Sequence, residues 1–134
     1  MRTLVAAMAI TLATAVSVSA FTEDGYMTAG GVGQVSCAAY QNALAEARIA
    51  GLSTSKGINM MNPFTSYAFG YYTHYNASTP GVYDLLDGVR GQTMVVNVLT
   101  IIDNWCRDYP TADFNDALFA SVSKLLPTAK TSKY

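Results

Sequence analysis

Two cysteines, Cys37 and Cys106, place the strongest constraint on how this chain of 134 residues can fold. If they pair, the bond closes a loop that runs from residue 37 to residue 106, about half of the sequence. In the chain-entropy account, closing so long a loop stabilises the fold by roughly 4 kcal/mol. That is a large share of the ~5–15 kcal/mol that separates a folded domain from its unfolded chain. Whether they pair depends on the compartment, because disulfides persist mainly in oxidising surroundings.

The first twenty residues predict that the chain is exported. Arg2 provides a short basic region, residues 4–16 are apolar apart from two threonines, and Val18-Ser19-Ala20 places small residues at a cleavage site. This layout is typical of a secretory signal peptide. The apolar run is shorter than the ~20 residues of a spanning helix. We expect a mature chain beginning at Phe21, and an uncleaved anchor is the alternative.

The overall composition combines this signal with an ordinary domain. The chain is 51% hydrophobic with a net charge of -1, and 14 of the first twenty residues are apolar. Removal of Arg2 leaves seven basic and nine acidic residues, a net charge of -2. This balance excludes a strongly basic nucleic-acid binder. No later segment is apolar over a membrane-spanning length, so we expect no membrane insertion after signal cleavage.

Export favours a disulfide between Cys37 and Cys106. Two free thiols or a metal site are the alternatives. A zinc site needs several His or Cys ligands at suitable spacing, but the chain has one His and no Cys-x-x-Cys motif. We therefore predict no metal and no cofactor.

The apolar spacing predicts four helices. A Gly-rich leader, 21–34, precedes the helical, disulfide-stapled domain at 35–126, and a flexible tail occupies 127–134. The first helix ends at Gly51, the second runs from Pro63 with Asn62 as cap to about Asn76, and the third begins near Gln92. Thr111 is the expected cap of the fourth. Each helix has a stripe of residues expected to face the core. The stripe of the first helix is Cys37, Tyr40, Leu44 and Ala47, and that of the second is Phe64, Tyr67, Ala68, Tyr71 and Tyr75. The stripe of the third is Val95, Val98, Leu99, Ile102, Cys106 and Tyr109, and that of the fourth is Phe114, Ala117, Leu118, Val122 and Leu125.

No alternating strand pattern of convincing length competes with these helices. The predicted fold is therefore all-α, a small four-helix domain in which one disulfide links the first helix to the end of the third. Residues 82–90 are expected to form a helical turn or an ordered loop.

The densest chemical feature is the aromatic segment 64–75. Six of the aromatic side chains lie there, together with His74. Packing in the core explains the stripe. The residues on other faces, Phe69, Tyr72 and His74, form a candidate partner-binding surface, since aromatic side chains anchor many protein interfaces.

A catalytic site has weaker support. His74 is the only imidazole, and no GxSxG, phosphate-binding loop or HExxH motif is present. Asp84 and Asp87 could act with His74 in a small hydrolase, or could be solvated loop carboxylates or helix caps. We predict no catalytic residues.

Several segments resemble a group of small exported bacterial proteins. The resemblance lies in Ser36-Cys37, in Phe69-Gly70-Tyr71-Tyr72-Thr73-His74-Tyr75-Asn76, in Tyr83-Asp84-Leu85-Leu86, in Asn104-Trp105-Cys106-Arg107-Asp108-Tyr109-Pro110 and in Phe114-Asn115-Asp116-Ala117-Leu118. Together they are similar to the HdeA/HdeB-like superfamily and to Tai-type immunity proteins, over about residues 37–125.

This resemblance implies a periplasmic or secreted protein that binds another protein in the bacterial envelope. Members of the group include acid-stress chaperones, which bind unfolded clients, and immunity proteins, which bind toxins. This chain departs from the acid chaperones in its length and in its tyrosine-rich second helix. The expected function is non-enzymatic partner binding, with a structural envelope role as the alternative.

Overall fold

The computed structural model describes residues 31–91 and 93–132. Four helices form the domain, namely α1 (Cys37–Ala50), α2 (Ser55–Ser78), α3 (Met94–Asp108) and α4 (Phe114–Leu125), with short 3-10 turns at Gly31–Gln34, Asp87–Val89 and Leu126–Thr128. Within the described segments there are no β-strands, so the all-α prediction is confirmed. The predicted signal peptide, and the leader as far as residue 30, lie outside the described residues.

Helix α1 lies at the centre of the packing. Its four predicted core residues, Cys37, Tyr40, Leu44 and Ala47, are all fully buried. They sit at the spacing that brings side chains to one face of a helix. Both α2 and α3 pack along α1, whereas α3 also packs on α4. The Tyr40 hydroxyl donates a hydrogen bond to the Leu99 carbonyl at 2.8 Å, which fixes α1 against α3.

The predicted disulfide is confirmed. Cys37 and Cys106 are bonded, with their Cα atoms 5.0 Å apart, and both are fully buried. The bond joins the first residue of α1 to the last turn of α3. Next to it, the backbone N–H groups of Cys37 and Ala38 donate to the carbonyls of Ala112 and Pro110. The start of α1 is therefore held covalently and by hydrogen bonds to the α3–α4 connection.

The predicted start of α2 at Pro63 is wrong. The helix begins eight residues earlier at Ser55, because the Thr54 hydroxyl caps it by accepting the Gly57 N–H at 3.1 Å. A Cβ atom at Gly57 would lie 2.1 Å from the Gly51 carbonyl oxygen, so this residue lets α2 start directly against the end of α1. Pro63 lies inside the helix, where it leaves one backbone carbonyl without its usual donor.

The predicted core stripe of α2 is partly wrong. Phe64 and Ala68 are buried as expected, but the next buried position is Tyr72, which is 1% exposed. The other stripe residues, Tyr67, Tyr71 and Tyr75, are only half-buried. The helix is rotated so that its core face follows the spacing 57, 61, 64, 68 and 72. Both spacings fit one helical face, so periodicity alone could not decide between them.

Tyr72 is held in the core by a polar partner. Its hydroxyl hydrogen-bonds the Ser121 hydroxyl at 2.7 Å, and Ser121 also donates to the Leu118 carbonyl at 2.6 Å. A buried hydroxyl that lacked such a partner would cost free energy. Burial also raises the pKa of Tyr72 to about 12, although the hydrogen bond with Ser121 opposes this shift.

Helices α3 and α4 follow their predicted stripes with changes at the ends. Every predicted core residue of α4 is buried. In α3, the outermost predicted positions, Val95 and Tyr109, are 40% and 53% exposed. Thr111 is not the cap of α4. Asp113 caps it instead, in a reciprocal arrangement in which the Asp116 carboxylate accepts the Asp113 N–H at 3.3 Å.

The connection between α2 and α3 is ordered around the buried Leu85. The Asn76 side-chain oxygen accepts the Leu85 N–H at 2.9 Å. The segment from 127, which the sequence assigns to a flexible tail, forms a short bridge with this connection. The Lys130 N–H donates to the Asp84 carbonyl at 2.8 Å, and the Lys130 carbonyl accepts the Tyr83 and Asp84 N–H groups. A single bridge of this kind leaves no repeating pattern in the sequence, so the sequence does not predict it.

Removal of the disulfide should lower the free energy of unfolding by roughly 4 kcal/mol, since the unfolded chain regains the freedom of the long loop. The measurement is urea unfolding of the oxidised protein and of a Cys37→Ser/Cys106→Ser double variant. As a control, the oxidised protein should show no titratable thiol when denatured without reductant. Equal unfolding midpoints would contradict the prediction.

Stability should also fall in alkali because of Tyr72. Its pKa is higher in the folded chain than the value of about 10 expected when unfolded, so the folded state holds the proton more tightly. The resulting stabilisation is complete below pH 10 and is lost as the pH rises towards 12. In Tyr72→Phe, urea midpoints measured between pH 8 and pH 12 should fall less steeply than in the unsubstituted protein. Tyr109→Phe, which removes an exposed hydroxyl, is the control, and an unchanged slope in Tyr72→Phe would refute the assignment.

Candidate functional site

The partner-binding surface predicted at Phe69, Tyr72 and His74 does not exist as one surface. Tyr72 is buried in the core, so its assignment to an exposed patch is wrong. Phe69 is half-buried and packs against the core, whereas His74 is exposed. The rotation of α2 explains the error, because it turns Tyr72 inwards in place of Tyr75.

Of the tyrosines displaced from the core, Tyr67 contacts α4. Tyr67 donates a long hydrogen bond of 3.5 Å to the side-chain oxygen of Asn115. Tyr71 packs edge-on against Tyr72, with ring centroids 5.8 Å apart. Burial raises the pKa of Tyr71, and the neighbouring hydroxyls of Tyr75 and Tyr67 raise it further. Tyr67 and the buried Tyr72 are therefore the α2 side chains that hydrogen-bond α4.

The candidate hydrolytic residues are not brought together in the structure. Arg90 forms ion pairs with both Asp84 and Asp87, the latter at 3.4 Å. Asp84 also accepts the Leu86 N–H at 3.0 Å through its side chain. No hydrogen bond or ion pair between described residues links His74 to either carboxylate. The two aspartates instead hold the α2–α3 connection in place.

A buried carboxylate joins α1 to α3, which sequence reasoning did not find. The Asp103 side chain is 9% exposed, and its two oxygens accept hydrogen bonds from Gln41 and Arg48, both at 3.1 Å. Arg107 lies 3.8 Å from the same carboxylate. The signal was the position of Asp103 beside Ile102 on the buried face of α3, opposite two polar residues of α1. The hydrogen bonds of the Asp103 carboxylate are all made within the fold, so this side chain stabilises the packing of α1 on α3 and is not available to a ligand.

An apolar groove between α2 and α3 is the best candidate for a binding surface. Its lining consists of Leu52, Ser53, Ile58, Met61, Thr65, Val95, Val96 and Leu99. The volume of the groove is about 520 Å³, within the range of ~300–1,000 Å³ usual for ligand sites. None of these side chains carries a charge. We call this surface the α2–α3 groove.

The packing of α1 explains why the groove is open. α2 and α3 both lie against α1, but they make few contacts with each other. Their facing side chains therefore remain in contact with solvent, and Ile58, Val95 and Val96 are 53%, 40% and 42% exposed. Single exposed apolar residues are common on soluble proteins, but a cluster around a concave surface often marks an interaction site.

Sequence reasoning missed this groove for two reasons. It started the second helix at Pro63, so Ile58 was not placed on a helix. It also placed Val95 in the core, because the periodic pattern of α3 does not show which of its turns another helix covers. A capping threonine at 54 followed by apolar residues at 58 and 61 was the available signal.

The Asp103→Asn substitution should destabilise the fold by about 2 kcal/mol, since hydrogen bonds to a charged group are lost or weakened while Arg48 and Arg107 remain. Urea unfolding at neutral pH measures the change. Asp108→Asn, the same change at an exposed position of α3, should alter stability by less than about 0.5 kcal/mol. Similar effects of the two substitutions would show that the buried cluster contributes nothing specific.

Among the described residues, no group of three or more His, Cys, Asp or Glu side chains could hold a metal ion. In the same part of the chain, no helix has the length and apolar character needed to cross a membrane.

Comparison of the chain with models of known protein families, with curated proteins and with solved structures finds no match. The resemblance to the HdeA/HdeB-like superfamily therefore stays a prediction.

Proposed function

We propose that the mature chain is a non-enzymatic exported protein that binds a protein partner in the bacterial envelope through the α2–α3 groove. The observation that supports this proposal best is the cluster of exposed apolar side chains around that groove. The buried disulfide is consistent with folding in an oxidising compartment such as the periplasm.

The shape and lining of the groove favour an apolar helical segment as the bound element. From Ile58 to Thr65, the α2 wall extends about 10 Å at the ~1.5 Å rise of a helix. This length accommodates about two turns of a partner helix lying between α2 and α3. A helix that docks in this way inserts apolar residues at i, i+3 or i+4, and i+7. Since the walls are uncharged, we expect the binding to depend weakly on salt.

The groove favours an immunity- or inhibitor-type role over a chaperone role within this proposal. It is open in the folded chain, so a specific partner can bind without any unfolding. A chaperone that responds to acid would instead gain apolar surface at low pH and bind many unfolded clients. A purely structural envelope role does not explain why the apolar groove is open to solvent. A hydrolase would need His74 close to Asp84 and Asp87, and these residues are not brought together.

Ile58→Glu should strongly weaken partner binding, because it places a charge among apolar groups that the complex would desolvate. The mature, oxidised protein is used to capture its partner from the envelope fraction of the producing cells. A photo-crosslinking residue introduced at Val96 should then attach to the captured protein. After purification of that protein, the substitution should weaken binding at least 100-fold in calorimetry.

Ile49→Glu is the matched control, since Ile49 is 89% exposed on α1 and does not line the groove. It should bind the partner as well as the unsubstituted protein. Crosslinking from residue 49 instead of residue 96, or equal binding by both glutamate variants, would overturn the proposal. Capture of many denatured proteins, and only after acid treatment, would support the chaperone role in place of the specific partner.

A further inference from the structure

A second groove lies between α3 and α4 at the other end of α3. Its volume is about 630 Å³. The aromatic part of its lining is Trp105 and Tyr109, whose rings stack with centroids 4.6 Å apart. Its polar lining includes Asn104, Asp108, Ser123 and Lys124. This α3–α4 groove does not share a residue with the α2–α3 groove.

We propose that the α3–α4 groove binds a saccharide, with a sugar ring placed against the Trp105–Tyr109 pair and its hydroxyls bonded by the polar residues around it. This site is separate from the proposed protein-binding surface and does not depend on it.

The aromatic pair provides the apolar part of such a site. Trp105 is half-buried and Tyr109 is 53% exposed, so their stacked rings are anchored to the fold yet reachable from solvent. The face of an aromatic ring is electron-rich and its edge is electron-poor. The C–H groups on one face of a pyranose ring carry partial positive charge, and they pack favourably on an aromatic face that the Trp105–Tyr109 stacking leaves uncovered.

The polar residues provide donors and acceptors in complementary positions. Asn104 and Asp108 are one helical turn apart and flank Trp105, while Ser123 and Lys124 come from α4. No ion pair in the described chain occupies Asp108 or Lys124, although both line the groove. The Asn104 oxygen accepts a bond from Arg107 at 3.3 Å, which leaves its amide N–H groups to donate to a ligand.

The mixed lining distinguishes a saccharide from other ligands. A carboxylate beside the rings disfavours the phosphates of nucleic acids, which require a basic surface. The polar side chains would be left without hydrogen-bond partners under an apolar peptide or a lipid chain, at a cost in free energy. A sugar has both an apolar face and a periphery of hydroxyls, so it matches both parts of the lining.

The chain contains a single tryptophan, which makes the test direct. Because Trp105 lines the groove, a sugar that binds there should produce a saturable change in the tryptophan emission of the mature, oxidised protein. The probes are the trisaccharides of N-acetylglucosamine, of β-1,4-linked glucose and of α-1,4-linked glucose. We expect at least one of them to bind, and Asn104→Ala should weaken that binding about tenfold, as expected for one lost hydrogen bond.

Asn97→Ala is the matched control, since Asn97 is an exposed residue of α3 outside the groove. It should bind the same trisaccharide unchanged, and so should Ile58→Glu, which tests the other groove. Calorimetry on Trp105→Phe, with circular dichroism as the check that the variant is folded, should show weakened binding without relying on fluorescence. The proposal fails if none of the three trisaccharides changes the emission or produces heat, or if Asn97→Ala weakens binding as much as Asn104→Ala. It also fails if the Trp105 substitution blocks a protein partner while no sugar binds.

Discussion

The covalent link between α1 and α3 is the constraint on which the rest of the structure depends. Cys37 and Cys106 fix the start of α1 against the last turn of α3, and the backbone of the α3–α4 connection binds the same point. From there α1 runs through the centre of the domain with Cys37, Tyr40, Leu44 and Ala47 fully buried. In a domain of this size the core is limited, so a closed loop adds stability that packing alone provides with difficulty.

Polar contacts then select one arrangement of the helices around α1. Tyr40 binds the Leu99 carbonyl, and Asp103 accepts hydrogen bonds from Gln41 and Arg48, so α1 and α3 have a single register. Tyr72 and Ser121 do the same for α2 and α4. Apolar contacts tolerate small rotations of a helix, but a buried hydrogen bond that is broken leaves a costly unpaired group. These pairs therefore account for the rotation of α2.

The fold was largely predictable from the sequence, and the two grooves were not. Helix α1 and the core face of α4 follow from spacing, because one face of each helix is buried along its whole length. The prediction of the core face of α2 was partly wrong because Tyr71 and Tyr72 both lie within reach of the core. Only Ser121, which is far away in the sequence, favours Tyr72. Pro63 is a frequent helix start, but the cap at Thr54 and the small Gly57 begin the helix earlier. The grooves depend on which helices fail to touch, and the spacing within each helix contains no such information.

The two grooves make different use of the single helix α3. Its first turns expose Val95 and Val96 towards α2, and its last turns carry the stacked Trp105 and Tyr109 towards α4. Full burial of one aliphatic side chain stabilises a fold by ~1.5–3 kcal/mol. Because Ile58, Val95 and Val96 are each about half exposed, the folded chain lacks about 3 kcal/mol of stabilisation that their full burial would provide. For a domain with a small core, that much apolar area left in water is a large cost against a net stability of ~5–15 kcal/mol. The isolated Ile49 and Phe119 are also exposed, but neither lines a concave surface formed by two helices. Exposure combined with concavity, rather than exposure alone, is therefore the property that sets the α2–α3 groove apart from the other exposed apolar residues.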